Sequence, residues 1–269
     1  MSEQYKFEAK NVSRIFGHGK KAVTAVDDVS FKIKDREIIS LVGQSGCGKT
    51  VLAKMLLRLE KPNSGQLLFN GKPIDAAVDP RDHWREVQAV FQDPFSAFNQ
   101  FFTIRSQLKG SFKLFKQKPS EKEMEDRVDE ALLNVNIKPQ EIKGKYPFEL
   151  SGGQMQRMLL ARIFILKPQV LIADEPTSMV DACSRANILD YLMKLKEELQ
   201  MTIVFVTHDI GLAYYVSDSI YIMHKGKIAE SGSPDDVTQR PESPVTRQLL
   251  DDIPDVHRNW IDRGALKTG

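Results

Sequence analysis

The chain has 269 residues, 41% of them hydrophobic, enough for one large domain or two small ones with a full core. Its 38 basic and 36 acidic residues leave a net charge of +2, which argues against a general electrostatic grip on nucleic acid. Cys47 and Cys183 form neither a metal-type spacing nor a disulfide framework, no apolar run nears the roughly 20 residues of a membrane span, and Met1–Lys6 lacks a signal-peptide core, so a soluble protein of a reducing cytosol is expected.

Tyr5 to Val12 and Ala22 to Ile33 alternate as β structure does, with a turn at Gly17-His18-Gly19-Lys20-Lys21. Ile38 to Val42 reads as a buried strand and Val51 to Leu57 as a helix. Between them lies Gly43-Gln44-Ser45-Gly46-Cys47-Gly48-Lys49-Thr50, which matches G-x-x-x-x-G-K-[ST]. Glycines let the backbone approach an anion, Lys49 supplies a compact charge to β/γ oxygens, and the Thr50 hydroxyl is a hard ligand for Mg²⁺. Strand, loop and helix in this order put phosphates at a helix N-terminus and predict an ATP or GTP site. Cys47 is expected to be backbone cradle rather than a catalytic thiol.

Pro62-Asn63-Ser64-Gly65 is a turn, Gln66 to Phe69 a short strand, and Asn70-Gly71 a hairpin turn. Val87 to Phe91 is the next strand. From Asp93 to Tyr146 the β-branched runs disappear and helical spacing takes over. Ser120 with Glu123 forms a capping box that opens a helix with Met124, Val128 and Leu132 on one face. The strands Val170 to Ala173 and Thr202 to Thr207, joined by a helix around Ala186 to Leu199, predict a mostly parallel, two-side-covered sheet. Ser219 to Met223 and Lys227 to Ala229 form a hairpin at Lys225-Gly226, and the last forty or so residues are weakly patterned.

Two further motifs carry chemistry. Val170-Leu171-Ile172-Ala173-Asp174-Glu175 is an apolar strand ending in two carboxylates: Asp174 placed to hold Mg²⁺, Glu175 to orient or deprotonate an attacking water. Leu150-Ser151-Gly152-Gly153-Gln154 reads as a serine N-cap with two glycines opening a helix, a second anion site. Two phosphate-binding helix starts in one chain suggest that two chains share each nucleotide.

In these motifs and their order the chain closely resembles the ATP-binding cassette (ABC) ATPases, over Tyr5 to Gly232. The resemblance implies an α/β P-loop NTPase (RecA-like) core, an N-terminal antiparallel β subdomain, a helical subdomain inserted at about 93–149, and a short C-terminal extension over 233–269. It makes Leu150 to Gln154 the family's signature and Phe91-Gln92-Asp93-Pro94 its Q-loop, with Gln92 meeting Mg²⁺ and the attacking water. Met179-Val180-Asp181 falls where the D-loop lies, Asp181 being kept. Val206-Thr207-His208-Asp209 matches the switch loop, whose His208 would contact the γ-phosphate. Phe16 is the leading candidate to stack on adenine, with Val23 next. Expected cofactors are ATP and Mg²⁺.

Phe91 to Asn99, Tyr146-Pro147-Phe148-Glu149, Glu175 to Met179 and Pro244 to Leu250 with Ile253-Pro254 are similar to the F-type ATPase of the oligopeptide/dipeptide/nickel importer branch. That likeness implies two membrane permease subunits, a second ATPase (D-type) or a second copy of this chain, indirectly an extracytoplasmic solute-binding protein, and a peripheral place on the cytoplasmic membrane face. Nucleic acid is not an expected partner. A non-transport ABC ATPase acting on DNA or ribosomes is the alternative. It is disfavoured by the compact segment between Thr50 and Ser151, too small for a coiled-coil insert, and by the single cassette. Two surface readings remain. Lys109, Lys113, Lys116 and Lys118 with Phe112 and Phe115 read as a solvated helix face. Phe95, Phe98, Phe101 and Phe102 read as an aromatic groove for a permease helix, with a local core as the plainer option.

Overall fold

The computed structural model describes residues 5–74, 79–178 and 182–252, with backbone only at residue 20 and residues 182–184. The chain divides into two compact units, one of residues 1–77 with 202–269, the other of residues 78–201.

The first unit opens with β1 (Tyr5–Phe16), β2 (Val23–Lys34), β3 (Ile38–Val42), α1 (Lys49–Leu56), β4 (Ser64–Phe69) and β5 (Lys72–Pro73). Strands β2, β1, β4 and β5 form an antiparallel sheet in that order. Val29, Phe31 and Ile33 of β2 point inward at a spacing of two, as an antiparallel strand with one wet face requires. β1 runs four residues past the predicted Val12, through irregular pairing. Asn11 and Asp28 take left-handed backbone (φ 50° and 53°), and the Asn11 amide group donates to the Asp28 carboxylate at 3.0 Å. Such bulges increase the twist of the hairpin without ending it. Asn70 (φ 49°) with Gly71 (φ 72°) makes the tight turn between β4 and β5.

Strand β3 is buried throughout, as is the later β8 (Thr202–Thr207). They pair in parallel from Ile38↔Ile203 to Val42↔Thr207. On its other edge β3 pairs in parallel with β9 (Ser219–His224), which pairs antiparallel with β10 (Lys227–Gly232). Ile39 and Leu41 meet Leu52, Ala53 and Leu56 of α1 and Phe31 and Ile33 of β2 on one face. Val42, Ile220 and Ile222 meet Ile210 and Ala213 of α8 (Ile210–Val216) on the other.

The weakly patterned C-terminal segment contains two helices, α9 (Pro234–Gln239) and α10 (Pro244–Asp251). Val237 joins the core cluster around Val42, and Val245, Leu249 and Leu250 of α10 pack against it. The Glu230 carboxylate on β10 accepts from the Glu242 and Ser243 amides at 2.9 and 3.1 Å and from the Thr246 hydroxyl, so α10 is tied to the sheet at its first turn. Burial opposes ionisation of Glu230, but these hydrogen bonds outweigh it and hold the carboxyl below the usual range.

The second unit contains α2 (Pro80–Glu86), β6 (Val87–Val90), α3 (Ile104–Gly110), α4 (Glu121–Asn134), α5 (Pro139–Ile142), α6 (Gly152–Leu166), β7 (Val170–Asp174) and α7 (Ala182–Leu199). β6 and β7 pair in parallel from Val87↔Val170 to Val90↔Ala173. α6 is buried on nearly every side, from Met155 to Leu166, and packs against α3, α4, α7 and β6. A helix apolar all round belongs at the centre of its unit. Between residues 95 and 149 the described backbone is helical or irregular, without strands.

α4 starts at the predicted Ser120 cap, whose hydroxyl accepts from the Glu123 amide at 3.3 Å. The Glu123 side chain pairs instead with Arg127, at 2.6 Å, so the box is half formed. The predicted buried stripe holds: Met124, Val128 and Leu132 are buried, with Ala131.

Candidate nucleotide site

In the first unit the phosphate loop leaves β3 at Val42 and enters α1 at Lys49. The Lys49 ammonium turns back over the loop, donating to the carbonyls of Gly43 at 2.6 Å and Gln44 at 3.1 Å, and is 5% exposed. This folds a cation back onto the loop at the N-terminus of α1, where phosphate oxygens are favoured. Gly43 and Gly48 have a second reason beyond anion approach. A Cβ at Gly43 would collide with the Met223 carbonyl of β9. One at Gly48, where φ is +110°, would collide with the Ala25 carbonyl of β2. The loop is pinned by bonds as well: the Gly226 amide donates to Cys47 O and the Asp27 amide to Gly226 O, both at 2.9 Å. Cys47 is buried, and burial raises its thiol pKa, which keeps the sulfur protonated and un-nucleophilic at neutral pH.

Register brings His208 to this loop. Thr207 pairs with Val42, so His208 and Gly43 follow from neighbouring strand ends. His208 is exposed. The next residue, Asp209, caps α8 by accepting from the amides of Gly211 (2.8 Å) and Leu212 (3.1 Å), while its own amide donates to the Thr207 hydroxyl (3.0 Å). His208 thus lies in a hydrogen-bonded corner between β8 and α8.

Phe16 and Val23 are direct cross-strand partners, so the two candidates for the base platform share one face of the β1–β2 hairpin. Both are exposed. The Arg14 guanidinium lies 4.5 Å from the Phe16 ring centroid and pairs with Glu60 at 2.7 Å. Two residues beyond Val23, β2 touches the phosphate loop at Ala25, so the aromatic face and the loop belong to one neighbourhood.

In the second unit the pairing Val90↔Ala173 sets Gln92 and Asp174–Glu175 at the same end of two adjacent strands. Gln92 is exposed and Asp174 is 6% exposed. Glu175 has left-handed backbone, φ 47°, a conformation that costs a non-glycine residue about 1 kcal/mol or more. Its carbonyl accepts from the Ser178 amide (3.2 Å) and hydroxyl (2.9 Å). The Pro176 carbonyl accepts from the buried Gln156 amide group on α6 at 2.9 Å. Asp181 lies outside the described residues.

Ser151 is the N-cap of α6. Its hydroxyl accepts from the Gln154 amide at 3.3 Å while the Gln154 side chain accepts from the Ser151 amide at 3.0 Å. This reciprocal box fixes Ser151-Gly152-Gly153-Gln154 as a helix start and satisfies the Ser151 and Gln154 amides within it. A shallow cavity of about 150 Å³ opens beside Gly153, lined by Asn136, Arg157, Asn187, Ile188 and Tyr191. A larger one, about 490 Å³, lies at the other end of α6 between Phe164–Lys167, Arg85, Phe115 and Arg127, and none of the predicted site residues lines it.

The two surface readings are corrected or refined. Phe98 is 5% exposed and lies under the Arg162 guanidinium, 5.6 Å from ring centroid to Cζ, so it is core rather than a docking residue. Phe101 and Phe102 remain exposed, at 87% and 55%. The lysine–phenylalanine run is not a single solvated helix face: α3 ends at Gly110, and of the run Lys113, Lys116 and Lys118 are exposed. Phe112 is fully buried, Lys109 pairs with Glu121 and Glu125, and Phe115 lies between Arg85 and Arg127. Sequence reasoning missed Gln156. It shares α6 with Gln154, Arg157 and Arg162, and nothing in the sequence sets it apart.

Comparison with known proteins agrees with the motif order. Residues 26–178 match the family model described as ABC transporter. The oligopeptide transport ATP-binding protein AppF of Bacillus subtilis is 36% identical over 248 residues, 91% of this chain and 74% of that protein. OppF of Escherichia coli K12, of the same description, is 34% identical over 92% of this chain and 75% of its own. Among solved structures, cbiO1 from Clostridium perfringens, part of the ABC transporter complex cbiONQ, superposes with a TM-score of 0.77 at 29% identity, covering 95% of this chain and 98% of that one. The ATP-binding cassette MJ0796, in a dimeric post-hydrolysis state bound to ADP and Pi, gives 0.76 at 26% identity over 85% and 98%. With its phosphate loop, capped glycine helix and carboxylate strand in this order, the chain belongs to the ABC transporter family.

Proposed function

We propose that the chain is the ATP-binding and ATP-hydrolysing subunit of an ABC importer that takes up oligopeptides or dipeptides. The reading is carried by the pairing of Val42 with Thr207, which sets a lysine-centred phosphate loop and an exposed histidine on neighbouring strand ends. The transport role is supported by relatives described as oligopeptide transport ATP-binding proteins over about three quarters of their length.

In this reading Gly43–Thr50 wraps the phosphates, Lys49 neutralises their charge, and the Phe16–Val23 face takes the base. The donors assigned to Mg²⁺ are oxygens: the Thr50 hydroxyl, the Gln92 side-chain carbonyl and the Asp174 carboxylate. Among the described residues no cluster of three His, Cys, Asp or Glu gathers to hold an ion without them. That donor set suits a hard ion that arrives with its nucleotide, and when bound it neutralises charge on the phosphate oxygens. Glu175 accepts a proton from the water as its oxygen bonds to the γ-phosphorus and the bond to the ADP oxygen breaks. His208 holds the γ-phosphate and Gln92 orients the water. Ser151–Gln154 serves the nucleotide of a second cassette, a D-type partner or another copy, and Asp181 lies in the loop between the two. The working cassette is Tyr5 to Gly232, with 93–149 as its helical insert and α9–α10 as a buttress beyond it. Two permease subunits would hold the protein at the cytoplasmic membrane face, with exposed Phe101 and Phe102 among the residues that meet them, and a solute-binding protein would deliver the cargo. Among the described residues no helix is long and apolar enough to cross a membrane.

Glu175→Gln tests the assignment. ATP affinity should be unchanged while turnover falls by about 10²–10⁴, the usual cost of losing a positioned base. Wild-type turnover in this variant would remove Glu175 from the mechanism.

A further inference from the structure

Glu175 sits in a backbone conformation it does not favour, at the end of a fully buried strand, and something outside the turn must hold it there. The bonds from Ser178 are local and travel with the turn. A hydrogen bond from another element reaches the turn: the Gln156 amide group donates to the Pro176 carbonyl at 2.9 Å. Gln156 is 1% exposed on a helix that is otherwise apolar at its buried positions. A buried amide costs free energy unless it is hydrogen-bonded, so an apolar residue would pack here with less penalty. α6 is also the helix whose first turn is Ser151–Gln154, barely more than one helical turn from Gln156.

We propose that Gln156 is a positioning residue for Glu175, coupling the carboxylate's placement to the signature helix. The proposal rests on the reading of Glu175 as base. Its consequence is directional. A shift of α6 when a second cassette's nucleotide engages Ser151–Gln154 is passed through the Gln156 side chain to the turn that acts on this chain's own nucleotide. The two sites of a cassette pair thereby acquire a link inside a single chain.

The test uses the full-length chain with ATP as the probe, and compares Gln156→Leu, Gln156→Glu and Glu175→Gln. Gln156→Leu should lower kcat by about 10–100-fold, the scale of a displaced catalytic group, with KM and the affinity for a fluorescent ATP analogue unchanged. In Gln156→Glu the introduced carboxyl donates to the Pro176 carbonyl only while protonated. The ratio of its kcat to wild type should therefore rise as pH falls through that group's titration, a response that lost packing would not give. Wild-type kcat in Gln156→Leu, with Glu175→Gln inactive, would overturn the proposal alone. So would a pH-independent deficit in Gln156→Glu accompanied by a lowered Tm. Wild-type turnover in Glu175→Gln would remove the base and the positioning role together.

Discussion

The loop after β3 and the turn after β7 both leave a fully buried parallel strand, and they are fastened by different means. From Gly43 to Thr50 close backbone packing is the main fastener, with the Lys49 ammonium bonded to the Gly43 and Gln44 carbonyls. Gly43 and Gly48 press against the carbonyls of Met223 and Ala25 with no room for a Cβ, and the Cys47 carbonyl is bonded to the Gly226 amide. From Asp174 to Ser178 side chains do the fastening: Ser178 within the turn, Gln156 from α6, and Glu175 itself in a left-handed conformation. A loop packed at Gly43 and Gly48 admits no side chain at those two positions, which suits a fixed cradle. A turn held by side chains stores strain and follows the helix it is tied to, which suits a group needed only when a site is complete.

The comparison breaks most severely at Gly48. Gly48→Ala places a Cβ on the Ala25 carbonyl at a φ that L-residues avoid. A destabilisation of about 4 kcal/mol or more is expected, together with loss of nucleotide binding, by thermal melting and nucleotide titration. Phe98 tests the side-chain-fastened unit. Phe98→Ala should cost about 3 kcal/mol because the ring is buried beneath Arg162, whose guanidinium pKa is lowered by its own burial. An unchanged Tm would return Phe98 to the surface. The smallest effect is expected at Glu230, where side chains fasten part of the first unit. Glu230→Gln should loosen α10 by about 1 kcal/mol, seen as faster amide exchange over residues 244–251. The folded Glu230 carboxyl titrates below its ordinary range, so its contribution is present above that range and lost as pH falls through the folded value. Acid should therefore free α10 before the strands β3 and β8.

Much of the site was legible because its signals are local. An apolar strand, a glycine loop and a helix start are adjacent in sequence, so Gly43–Thr50, Asp174–Glu175 and Ser151–Gln154 appear where expected. The parallel strands were legible for the same reason, as continuous apolar runs. What escaped depends on partners far along the chain. β1 continues past Val12 because Asn11, Ser13 and Asp28 satisfy a bulge across two strands, which no alternation count detects. Helix α10 is amphipathic over barely two turns and is held by Glu230, twelve or more residues upstream. Phe98 shares a dense aromatic stretch with Phe101 and Phe102, and spacing alone could not separate the buried ring from the exposed ones. The left-handed Glu175 and its tether to Gln156 have no sequence signature, since glutamate is a poor residue for that backbone and the bond spans two elements.

The central claim, that the signature of one cassette completes the nucleotide site of another, is tested most directly by light scattering on the Glu175→Gln chain with and without ATP. The account predicts an ATP-dependent dimer holding two nucleotides, abolished when Ser151→Arg is added, with monomer ATP affinity retained. A monomer at saturating ATP, or a dimer indifferent to Ser151→Arg, would contradict it.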